Sequence, residues 1–110
     1  MRPADETMSH VLTVPYVCVT IIAEAVVEQR LVRDVEALGA KGWTVTDARG
    51  HGTGSVRASE WEGSNVRLET LVPPEVADLV LNLLVRDYIP HFAVIAWTSP
   101  AQVLSSSQHP

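Results

Sequence analysis

Twice along this chain a β-branched run gives way to helical spacing and then returns to an extended pattern, and that doubled alternation sharply limits its folds. Residues 11–23 form an apolar run interrupted by Pro15. Proline lacks a ladder donor, so the firm strand is residues 16–23, with Pro15 at its start or on a sheet edge. Over residues 24–38, Val27, Leu31, Val35 and Leu38 share one helical face, and Glu28, Arg30, Arg33, Asp34 and Glu36 form a solvated remainder. Gly39 suits the helix end, Lys41-Gly42 makes a turn, and residues 43–49 open with aromatic and β-branched side chains that favour a second strand. After a long stretch without apolar periodicity, NVRLETLV (65–72) alternates. Val66, Leu68 and Thr70 fall on one face, and Arg67, Glu69 and Leu71 on the other. Pro73-Pro74 ends that strand, and the second proline fits the first turn of a helix. Val76, Leu79, Val80, Leu83 and Leu84 carry this helix to about residue 87. A Tyr88-Ile-Pro-His connector, a strand over 92–98 and an extended tail over 100–104 follow.

The order β-α-β-β-α-β is the split βαβ, ferredoxin-like plan. It predicts an α+β domain with a four-stranded antiparallel sheet and both helices on one face. Val17, Val19 and Ile21 lie on one side of the first strand and Cys18, Thr20 and Ile22 on the other. Neither set is charged, so both faces are expected to be buried. A bare apolar sheet face is an association site, and a closed oligomer covers it. At 110 residues the chain is one domain, placed at 11–104 between disordered ends at 1–10 and 105–110.

A formal charge of −5 with no basic run excludes a nucleic-acid binder, so any anion needs a local site. Cys18 is the only cysteine; it permits no intrachain disulfide or thiolate cluster and reads as a small buried hydrophobe. His10, His51, His91 and His109 are scattered without metal-ligand spacing, so no metal is expected. The start MRPADETMSH lacks a signal-peptide pattern, and no apolar run reaches the roughly 20 residues of a membrane span. A cytoplasmic protein without direct membrane insertion is the expectation.

The anion candidate lies in Arg49-Gly-His-Gly-Thr-Gly-Ser-Val-Arg57. Gly50, Gly52 and Gly54 let backbone N–H groups turn onto a bound group, and the Arg57 guanidinium neutralises an anion. A plain surface loop fits the same residues. Other residues here also carry two readings. Arg67 and Glu69 make either a cleft pair or a surface ion pair; His51 is a phosphate contact, a pH switch or a bystander. Trp61 is a partner anchor or a residue folded back locally, and Trp43 and Trp97 read as core or intersubunit packing.

GAKGWTVTDARGHG, NVRLETLV and the closing strand into SPAQVL, with both helices in register, resemble the PII-like signalling family over residues 16–104. The likeness is nearest to the branch associated with bicarbonate uptake and carboxysomes. It implies a homotrimer with inward-facing sheets and adenine nucleotides in three intersubunit clefts. It also implies a T-loop at about residues 51–64 that docks on a target such as a bicarbonate transporter. By matching position, Gly42, Trp43 and Thr44 line the base or ribose, while Gly50, Gly52 and Arg57 hold phosphates. Glu69 and Leu71 wall the cleft, and Phe92, Ala93 and Val94 occupy the B-loop position. The resemblance also makes Gly54, Ser55 and Arg57 a candidate bicarbonate cradle and Trp61 a target contact.

The chain departs from the nitrogen-sensing members in two places. It carries Tyr-Ile-Pro-His-Phe-Ala in place of a glycine-rich, lysine-bearing B-loop, and Gly54 in place of a glutamine. With fewer cations near the nucleotide tail, ADP or AMP is favoured over ATP. Two rivals of the same plan stay open: a small acyl-phosphate or nucleotide hydrolase, and a structural or metal-tolerance trimer. No nucleophile–base pair is evident, which favours a non-enzymatic sensor.

Overall fold

Strand β1 (Leu12–Glu24) is the long central element, and a short 3-10 turn (Ala25–Val27) leads from it into helix α1 (Glu28–Ala37). Then come β2 (Thr44–Ala48), β3 (Asn65–Val72), α2 (Pro74–Leu83), a π-helical turn (Leu84–Tyr88) and β4 (Val94–Ser105). This computed structural model describes residues 12–50 and 64–105. The strands form one antiparallel sheet in the order β2-β3-β1-β4. The α+β, ferredoxin-like plan expected from the sequence is the observed one.

Period-two alternation decides which face is covered. Val19, Ile21 and Ala23 have no accessible surface and pack with Leu68 and Val72 of β3. Over them lie Leu31 and Val35 of α1 and Ala77, Val80 and Leu83 of α2, so both helices share one side of the sheet. The other side carries Cys18, Thr20, Ile22, Arg67, Glu69 and Leu71 with Ile95 and Trp97 of β4. There Leu71, Ile95 and Trp97 stay 46%, 47% and 42% exposed, and only Thr20 is fully buried. In the single chain, therefore, the expectation that β1 is buried on both faces holds for one face and only partly for the other.

Four boundaries differ from the sequence expectation, the first being β1, which starts at Leu12 and not at residue 16. Glu24 closes β1 instead of opening the helix, because it pairs with Asn65 and its carboxylate accepts the Ala93 N–H at 2.6 Å. The last strand starts at Val94 and runs through the expected tail to Ser105. It continues because Leu12–Tyr16 pairs with residues 101–105 across it. Pro15 and Pro100 are tolerated since β3 stops opposite Val17 and β4 is an edge, which leaves each proline one open side. The second helix ends at Leu83 and passes into the π turn, where Ile89 N–H reaches the Leu84 carbonyl at 2.8 Å. That turn is held to α1: the Tyr88 hydroxyl donates to Asp34 Oδ2 at 2.6 Å, and the Arg30 guanidinium lies 4.6 Å from the Tyr88 ring centroid. Burial, and then the Asp34 hydrogen bond, push the Tyr88 phenol well above its ordinary range.

Gly39 stops α1 at φ +121°, with its N–H on the Glu36 carbonyl and the Ala40 N–H on the Val35 carbonyl. A Cβ there would stand 3.1 Å from Val76 Cγ2 on α2. Gly39→Ala should therefore lower stability by about 1–2 kcal/mol, read as a fall in the urea midpoint at unchanged slope. Tyr88→Phe keeps the ring packing and removes one hydrogen bond to a carboxylate, which should cost about 1–2 kcal/mol in the same assay.

Candidate functional site

The turn after α1 meets the edge of the sheet where β2 begins opposite Glu69. Thr70 faces the helices and its hydroxyl donates to the Gly42 carbonyl at 2.5 Å, which ties the turn to β3. Trp43 follows, with its indole Nε1–H donating to Glu36 Oε2 at 2.7 Å. Beside this turn lies a cavity of about 320 Å³. Gly42, Trp43 and Thr44 form one wall, Glu69, Thr70 and Leu71 the second, and Cys18 of β1 the floor opposite Leu71.

Among the described lining residues Glu69 is the sole charge. Its carboxylate accepts from Arg67 at 2.9 Å and from the Thr20 hydroxyl at 3.0 Å. Arg67, then Thr20, hold the Glu69 carboxyl below its ordinary value. The Arg67 guanidinium also sits 5.7 Å from the Trp97 ring centroid, which links β3 to β4 across the helix-free face. An aromatic wall, an aliphatic wall, a thiol, hydroxyls and one carboxylate suit a flat, uncharged group with hydrogen-bond donors. They do not suit a phosphate. Among the described residues no cluster of three His, Cys, Asp or Glu side chains can hold a metal.

Gly42, Trp43, Thr44, Glu69 and Leu71, expected at the site, converge on this cavity. Gly50, Phe92, Ala93 and Val94 do not. Val94 pairs with Ala23 and Ala93 is held by Glu24, while β2 ends with Ala48 opposite Asn65, itself the partner of Glu24. Cys18 and Glu24 are six residues apart on β1, about 20 Å at about 3.3 Å per residue. The candidates thus fall into two groups separated along one sheet. Gly52, Gly54, Ser55, Arg57, His51 and Trp61 lie outside the described residues.

Cys18, Thr70 and Glu36 were missed at the sequence level. Alternation put Cys18 beside Thr20 and Ile22, but only the β1–β3 register brings it to Leu71. Alternation gives Thr70 a face but says nothing of a hydroxyl that ties down the turn. Helical spacing puts Glu36 on the solvated face, yet its carboxylate holds an indole.

A family model described as nitrogen regulatory protein P-II matches residues 17–108. No curated protein sequence matches the chain. Among solved structures, a PII-like signalling protein from Thermus thermophilus is 49% identical, with a TM-score of 0.72 covering 84% of this chain and 91% of that one. CPII from Thiomonas intermedia, bound to ADP, AMP and acetate, is 20% identical with a TM-score of 0.71, covering 83% and 90%. The same protein bound to ADP, AMP and bicarbonate gives 18% and 0.68, covering 83% and 94%. At these identities the CPII likeness shows the fold.

Because the folded Glu69 carboxyl is shifted down, its stabilising contribution is full above the unfolded carboxylate range. It disappears as pH falls through the lowered folded value. Glu69→Gln should cost under about 1 kcal/mol at pH 7 for this part-exposed pair, and its difference from wild type in urea melts should shrink as pH falls below the ordinary carboxylate range.

Proposed function

The chain belongs to the nitrogen regulatory protein P-II family, and on that premise we propose that it senses adenine nucleotides in clefts between the subunits of a homotrimer. Proteins of this family signal and do not catalyse. The observation that carries the reading is the convergence of Gly42, Trp43, Thr44, Glu69 and Leu71, drawn from two separate segments, on one cavity with an aromatic wall. That cavity takes the base and ribose. The phosphates go to the other group, Gly50 with Gly52 and Arg57 at the root of the T-loop, and Phe92, Ala93 and Val94 face them from the B-loop position.

A single protomer holds the two groups about 20 Å apart along its sheet, so a ligand touching both lies between copies. The exposed Leu71, Ile95 and Trp97 on the helix-free face support that assembly. ADP or AMP is the preferred nucleotide, and bicarbonate binds with it at Gly54, Ser55 and Arg57. The CPII complexes with ADP, AMP and bicarbonate lend support on the same fold. In this reading the protein works in the cytoplasm within the carboxysome-associated branch. It regulates inorganic-carbon uptake by setting Trp61 and the rest of the T-loop against a bicarbonate transporter. Among the described residues no helix is long and apolar enough to cross a membrane.

Calorimetric titration with ADP, AMP and ATP, with and without bicarbonate, tests the proposal alongside the mass from light scattering. A trimer should bind ADP or AMP more tightly than ATP, and bicarbonate should strengthen ADP binding. Saturation at about 100 times the dissociation constant should add about 2.7 kcal/mol of stability in a thermal shift. A monomer that gives no heat with millimolar adenylates would remove the proposal. Steady release of phosphate from ATP or an acyl phosphate would favour the hydrolase.

A further inference from the structure

Trp43 lines two concavities. One is the 320 Å³ cavity over the sheet edge. The other is a groove of about 290 Å³ over α1, bounded by Glu28, Gln29, Val32 and Arg33. The indole is a partition between them, with open space on both sides. The residue is 40% exposed, so packing alone does not fix the ring's angle. Nothing crowds the preceding residue either, since a Cβ on Gly42 would meet nothing within 4 Å. The Thr70 hydroxyl pins the Gly42 carbonyl, which fixes where the residue starts but not where its ring points. Among the described residues, the partner that the indole N–H takes is Glu36 Oε2, at 2.7 Å. That distance is in the range of charge-assisted bonds, the stronger class.

We infer that Glu36 is a positioning residue: from the outer face of α1 it holds the Trp43 ring upright, so that the cavity keeps a flat aromatic wall for the base of the bound nucleotide. The inference rests on the nucleotide reading of that cavity. Without the carboxylate, the ring is free to turn toward the groove over Glu28 and Arg33, and the base loses its stacking surface. Glu36 never touches the ligand in this account. Its effect passes through one indole N–H.

The test is calorimetric titration of ADP into the full chain as wild type, Glu36→Ala, Glu36→Gln, Trp43→Phe and the Glu36→Ala/Trp43→Phe double variant. Glu36→Ala should weaken ADP about fivefold, equivalent to about 1 kcal/mol, and Glu36→Gln, which keeps an acceptor oxygen, should recover most of that loss. On the Trp43→Phe background there is no N–H to hold, so Glu36→Ala should cause no further loss. The indole ¹H–¹⁵N resonance that Trp43→Phe removes should move in Glu36→Ala and stay near its wild-type position in Glu36→Gln. Glu36 is exposed, so these variants fold, and circular dichroism checks it. Wild type that binds ADP while Glu36→Ala binds equally well, or losses that add in the double variant, overturn this inference alone. Wild type that binds no ADP overturns the nucleotide reading and this inference with it.

Discussion

Two helices can lie on this sheet only because β1 presents Val19, Ile21 and Ala23 to them as a strip with no accessible surface. The same strand is hydrogen-bonded on both edges, to β3 along residues 17–24 and to β4 along 12–23. Over residues 17–23, where both ladders run, the strand is therefore constrained three ways, by its two neighbours and by the layer above. A slip of one position would carry all three side chains to the opposite face and bring Thr20 and Ile22 under the helices. The cavity depends on that register. Cys18 stands opposite Leu71 and Thr20 beside Glu69 only when Val19 and Ile21 point inward.

Periodicity made the fold legible. Val27, Leu31 and Val35, read as one helical face, are all buried, and Val66 and Leu68 are buried on the expected side of β3. The boundaries were less legible, because they are set by contacts distant in sequence. Glu24 has the composition of a helix start, and what keeps it extended is Asn65 and the Ala93 amide, 41 and 69 positions away. Likewise the segment after Thr98 reads as a proline-marked tail, and its strand character comes entirely from pairing with the first residues of β1.

The site divides in the same way. Gly42, Trp43, Thr44, Glu69 and Leu71 were legible because two short motifs carry them, and the β2–β3 register joins those motifs. Thr70 and Glu36 were not, since each acts through one hydrogen bond across elements and no spacing rule announces it. The cavity's single carboxylate was visible, but its effect was not. With Arg67 and Thr20 on it, Glu69 stays ionised and turned toward the helix-free face, and it gives the cavity an acceptor.

The sheet is also uneven in thickness along its length. From Leu12 to Tyr16, β1 has lost β3 and keeps only β4, and Leu12, Val14 and Leu104 there stand open to solvent. A two-stranded ribbon by itself is marginal in water. This end borrows its order from the thick part of the sheet, and cooperativity fades toward the tip. The molecule thus has a thick part that bears the cavity wall and the helices, and beyond it a two-stranded, largely exposed extension.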